Sequence, residues 1–112
     1  MNKPFSLMQK ELSDWQTRNF GGATTEDMAL GMAEEVGELC HMILKRKQKI
    51  REGADGSNLK DEIADAVADT FVFGVQVLTC EGLDAEVAIT QVFEKVLKRV
   101  WRVPAIQEED SE

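Results

Sequence analysis

The chain has 112 residues, a composition 43% hydrophobic and 30% charged, and a net charge of −8. That length fits one domain with a modest core, and two prolines with no low-complexity tract argue against global disorder. The acidic balance repels polyanions, so general nucleic-acid binding is disfavoured, and an anionic ligand needs a cation or a local basic patch to approach.

The N-terminal "MNKPFSLMQKEL" lacks the apolar core of a signal peptide. Apolar residues recur at spacings of three and four along the chain, and strand signals are nearly absent. A first helix is expected from about Phe5 to Asn19, with Phe5, Met8, Leu12 and Trp15 on one face. "NFGG" ends it with glycines that tolerate left-handed backbone. Thr24 or Thr25 caps a second helix, with Glu26 and Asp27 near its positive end. That helix runs to about Ile50 and closes on "KRKQKIR", a solvated run favoured by the helix dipole.

"EGADGSN" reads as a loop, with Ser57 or Asn58 capping a third helix over about residues 59–80. Residues 63–80 are its most apolar part, but Asp65 and Asp69 make it a poor membrane span. Gly82 stops the chain, and Asp84 caps a fourth helix over about residues 85–102. Pro104 ends the ordered domain (1–103), leaving an acidic, flexible tail (104–112). Cys40 and Cys80 lie in apolar helical patterns without a CxxC partner, which predicts two buried thiols in a reducing, cytoplasmic compartment. Short connections make neighbouring helices antiparallel. The expectation is an all-α, four-helix bundle-like domain that shares its core with a second copy.

"EEVGEL" (34–39) places three glutamates in a stretch that otherwise reads as buried helix. At 100° per residue, Glu35 falls inside the arc of Met28, Met32, Leu39 and Met42, and Glu38 at its edge. The third helix repeats the pattern: Glu62, Asp65, Asp69 and Gln76 form a narrow stripe on a helix apolar nearly all round. No Lys or Arg occurs from residue 61 to 94. If the two stripes face each other, each like-charge pair at ~5 Å and an effective dielectric of ~20 costs roughly 3 kcal/mol. A hard divalent cation with oxygen ligands relieves that repulsion most simply. A solvated or interface stripe is the plainer alternative.

These residues resemble the MazG-like all-α nucleoside triphosphate pyrophosphohydrolases, whose mark is EExxE followed by ExxD. Here the two halves are Glu34-Glu35-Val36-Gly37-Glu38 and Glu62-Ile63-Ala64-Asp65. Flanking "Q…W…NF", "DEIAD" and "K…R.W" segments are also similar, over about residues 5–102. The resemblance implies cleavage of the α–β bond of a nucleoside triphosphate to monophosphate and pyrophosphate, in nucleotide-pool cleaning or another pathway, by a homodimer or homotetramer. It implies Glu35, Glu38, Glu62 and Asp65 as ligands of Mg²⁺ (Mn²⁺ as substitute), with Glu34 orienting a ligand or the attacking water. Lys95 and Arg99, at i and i+4 of the fourth helix, and Lys60 are candidates to hold the outgoing phosphates. Trp15 and Phe20 are candidates for the base, with Gln9, Gln16 or Asn19 on polar edges, whereas Trp101 is assigned to packing. Asp69 stands where an apolar residue is usual in the family, so it joins the acids, binds a ribose hydroxyl or crosses an interface. A phosphoribosyl-ATP pyrophosphohydrolase and a non-catalytic helical module with acidic stripes are the alternatives. A di-iron bundle needs an ExxH pair from each of two helices; His41, the lone histidine, completes one with Glu38 and leaves none for a second.

Overall fold

The computed structural model describes residues 3–49 and 59–101. They form four helices: α1 (Phe5–Phe20), α2 (Thr25–Gln48), α3 (Leu59–Cys80) and α4 (Ala85–Lys98). No strand occurs among the described residues. The expected loop over 52–58, its capping Ser57 or Asn58, and the acidic tail lie outside them.

Local chemistry sets the helix ends. Gly21 closes α1 at φ 78°, and its N–H donates to Thr17 O. Thr24, not Thr25, is the N-cap of α2; its hydroxyl accepts from the Asp27 N–H at 3.1 Å. The α2 C-cap is Lys49, which takes the left-handed conformation at φ 62°. Gly82 (φ 74°) turns the chain after α3, and Asp84 caps α4 by accepting from the Val87 N–H at 2.9 Å. The fourth helix is shorter than expected. Arg99 is extended at ψ 140°, so the helix stops at Lys98, well before residue 102.

The frame is an α2–α3 hairpin. Cys80 Sγ lies 3.4 Å from Ala23 O, the Thr25 hydroxyl donates to Glu81, Phe73 packs on Gly31, and Met32 packs on Gly74. Chain numbers rise on one helix as they fall on the other, so the pair is antiparallel. Gly31 permits the closest approach: a Cβ there would lie within 2.8 Å of three Phe73 ring carbons. The first helix crosses α3 and α4. Gln9 ties it down, donating to Thr79 Oγ1 (2.9 Å) and Leu83 O (3.1 Å) and accepting from the Ala85 N–H (2.9 Å). Gln9 thus serves the fold rather than a base edge. Asn19 is likewise occupied locally, on Trp15 O.

Burial is sparse. Among the described residues the buried apolar side chains are Ala66, Val75 and Ala85. The hydrophobic helix α3 still exposes Val67 at 50% and Phe71 at 48%. One chain supplies a single layer against it, so its outer face is left without cover. The same geometry corrects two expectations. Cys40 is exposed and only Cys80 is partly buried, because α2 turns one side to solvent. Trp101 is 73% exposed; it packs on Arg99 rather than on a core. By length and mean hydropathy (1.5), α3 passes for a membrane span, yet its acidic stripe faces the α2 seam.

Candidate active site: an acidic seam and an aromatic cavity

The α2–α3 register decides which acids meet. Continued from the Gly31–Phe73 contact, it sets Asp69 across from Glu35, Asp65 level with Glu38, and Glu62 a turn farther along. Glu35 is half-buried on α2, whereas Glu34, Glu38, Asp65 and Asp69 are exposed. Desolvation pushes the Glu35 carboxyl above the usual range, and the negative charges of Glu38, Asp69 and Glu34 push it further the same way. Asp69 therefore acts on Glu35 across the helix pair. Of the three roles the sequence left open for Asp69, the hairpin register bears on one, since it sets Asp69 opposite Glu35.

Among the described residues, no three His, Cys, Asp or Glu side chains close around one point tightly enough to hold an ion. The acids share a seam without forming a finished cage. Their chemistry nonetheless fits a hard divalent ion: the donors are all carboxylate oxygens, and Glu35 carries the strain of like charges that a cation removes.

The basic candidates lie at the start of α3 and at the C-terminal end of α4. Arg99 has left the helix, so Lys95 and Arg99 do not form the expected i, i+4 pair on α4. The Arg99 guanidinium carbon lies 5.8 Å from the Trp101 ring centroid. Neither residue forms an ion pair with Glu35, Glu38, Asp65 or Asp69. Lys60 is exposed on the first turn of α3, two residues before Glu62.

Beside the seam opens a cavity of about 580 Å³. Trp15 and Phe20 form one wall, edge to face with centroids 5.6 Å apart. Val72 and Phe73 of α3 and Met28 of α2 add apolar surface. The left-handed Gly21 turn returns the chain after α1, so α1 and α2 flank one opening. Its polar lining is Gln16, Gln76, Asp27 and Asp69. The size suits a nucleobase and sugar, and the aromatic pair offers a flat apolar surface. Asp69 belongs to both features: it faces Glu35 in the seam and lines the cavity. The pairing of Gln16 with Gln76 joins residues 60 apart in the chain, so the helix projection of α3 placed Gln76 in the acidic stripe without revealing its partner.

No curated protein matches the chain, and no solved structure matches it. The sequence model of the MazG nucleotide pyrophosphohydrolase domain matches residues 23–103, which takes in α2, α3 and α4 with both halves of the acidic motif and begins after α1. Hydrolases of this family generally use divalent metals. With its helical hairpin and paired acidic motifs, the chain belongs to the MazG nucleotide pyrophosphohydrolase family.

Proposed function

We propose that this protein is a Mg²⁺-dependent hydrolase of the α–β phosphate bond of nucleoside or deoxynucleoside triphosphates, releasing monophosphate and pyrophosphate. The observation that carries the proposal is the double position of Asp69, in the acidic seam opposite Glu35 and in the lining of the aromatic cavity. A nucleotide is shaped for such a site. Its base occupies the cavity between Trp15, Phe20 and Phe73, and its phosphates lie along the seam.

Glu35, Glu38, Glu62 and Asp65 hold the metal in this reading, and Asp69 adds a carboxylate at the cavity mouth. Bound Mg²⁺ supplies charge neutralisation for the phosphates and acidifies water. The chain's own residues do the remaining work. Glu34, next to Glu35 and exposed, orients the water and accepts its proton. Trp15 and Phe20 exclude solvent from one face of the base and fix its plane. Lys60, at the α3 end of the seam, is the better placed cation for the departing phosphates; the extended backbone at Arg99 weakens the case for Lys95 and Arg99.

We further infer that two or more copies associate through the outer face of α3. Phe71, Val77 and Leu78, with Met32 of α2 and Ile89 of α4 at its edges, line an apolar groove of about 340 Å³, and Phe5 of α1 packs on the Phe71 ring at 5.7 Å. Free cysteines suit a reducing cytoplasm, where we place the protein.

Replacing Glu38 with Gln keeps the shape of the side chain and removes its charge. The variant is expected to retain its helical circular dichroism and lose at least ~100-fold in turnover, within the range for a group serving transition-state charge. Turnover at the parent rate would refute the assignment.

A further inference from the structure

At the cavity wall two glutamine side chains meet. Gln16 of α1 and Gln76 of α3 retain only 9% and 6% of their exposure. Gln16 Nε2 donates to Gln76 Oε1 at 2.8 Å and also approaches Met28 Sδ at 4.0 Å. An amide offers one carbonyl acceptor and two N–H donors. Their mutual bond leaves Gln16 Oε1 and Gln76 Nε2 without a hydrogen bond to any described residue. Buried amide atoms are rarely left so, and both residues line the nucleotide cavity. They also border a smaller cavity of about 210 Å³ on their other side.

The polarity of the pair is biased. A thioether sulfur accepts hydrogen bonds weakly and donates none, so Met28 favours the state in which Gln16 turns its N–H₂ toward it. Gln16 then presents an acceptor and Gln76 a donor. The opposite polarity requires both amides to flip together and sets the Gln16 carbonyl against the sulfur. Asp27 and Asp69, in the same lining, add acceptors and no donors when ionised.

We propose that the Gln16–Gln76 amide pair reads the hydrogen-bonding edge of the base and selects an amino-bearing edge, as in cytosine, over the keto edge of uracil. The inference rests on the pyrophosphohydrolase reading of this site. With its phosphates at the seam, a nucleotide directs its sugar toward Asp69, which shares α3 with Gln76. The pyrimidine ring nitrogen then meets Gln76 Nε2, and the exocyclic group reaches across to Gln16 Oε1 on α1. An amino group donates to that oxygen. A keto oxygen opposes it.

The test compares dCTP with dUTP, which differ only at this edge. The parent is expected to show kcat/KM at least ~10-fold higher for dCTP, the scale of one good paired base contact. Gln76→Leu should erase that preference, mainly by raising KM for dCTP. Met28→Leu, which conserves volume, should narrow it several-fold and serves if Gln76→Leu does not fold. Calorimetric binding of dCMP and dUMP reads the same preference without hydrolysis. Absence of turnover with retained dCMP preference would therefore overturn the hydrolase reading and support the edge reading. Equal handling of both bases by the parent, or an equal loss on both in Gln76→Leu, would overturn the proposal and leave the pair as a strut between α1 and α3.

Discussion

Glu35 sits half-buried with three like-charged neighbours, and its raised pKa has a defined consequence for stability. An acid whose folded pKa exceeds its unfolded value binds its proton more tightly in the folded state. Below the ordinary glutamate pKa both states are protonated and nothing is lost. As the pH rises toward the elevated folded value, the unfolded chain releases the proton more easily, so the metal-free fold weakens. Glu35→Gln is therefore expected to raise the thermal midpoint of the metal-free protein at neutral pH and to flatten its decline above pH 4. Added Mg²⁺ should reverse the ranking, stabilising the parent more than the variant, because the variant lacks one of the carboxylates proposed to hold the ion. Thermal melts across pH, with and without the ion, check both. A variant less stable than the parent in the absence of metal would show that Glu35 suffers no net repulsion. At the same scale, Trp15→Ala should raise KM by ~5–160-fold with a smaller change in kcat, since base–aromatic stacking is worth ~1–3 kcal/mol.

The hairpin of α2 and α3 turns individual acids into a site, and its spacing depends on Gly31. Alanine there gains up to ~1 kcal/mol in helix propensity but forces the Phe73 ring away, an overpacking cost of ~1–3 kcal/mol. Gly31→Ala should thus lower the thermal midpoint and, because Phe73 lines the cavity, also raise KM. A variant that gains stability with unchanged KM would contradict this packing. Four helix ends were readable from the sequence alone. Gly21, Thr24, Gly82 and Asp84 are local signals, and each acts where the chain places it. The position of Glu35 among Met28, Met32, Leu39 and Met42 was equally local, a matter of 3.6-residue periodicity. Relations between helices were not readable. The register that opposes Asp69 to Glu35, and the meeting of Gln16 with Gln76, depend on how two helices slide and rotate against each other. The early end of α4 was hidden for another reason: Lys98, Arg99 and Val100 carry no breaker, and the extended backbone at Arg99 accompanies its stacking on Trp101.

Across the whole molecule, the acidic motif, the aromatic cavity and the bare face of α3 call for different partners. The outer face is expected to bury itself in self-association. Phe71→Glu sets a charge on that face and should shift the mass measured by light scattering from oligomer to monomer; an unchanged mass would place the interface elsewhere. The other two features meet at Asp69, and their union in one nucleotide site is the central claim. Incubation of the protein with each common NTP and dNTP, with and without Mg²⁺, followed by identification of the phosphorus products, tests it most directly. Metal-dependent release of monophosphate and pyrophosphate in equal amounts, from at least one nucleotide, is expected. Release of diphosphate and orthophosphate, or no cleavage of any nucleotide with the metal present, would contradict it.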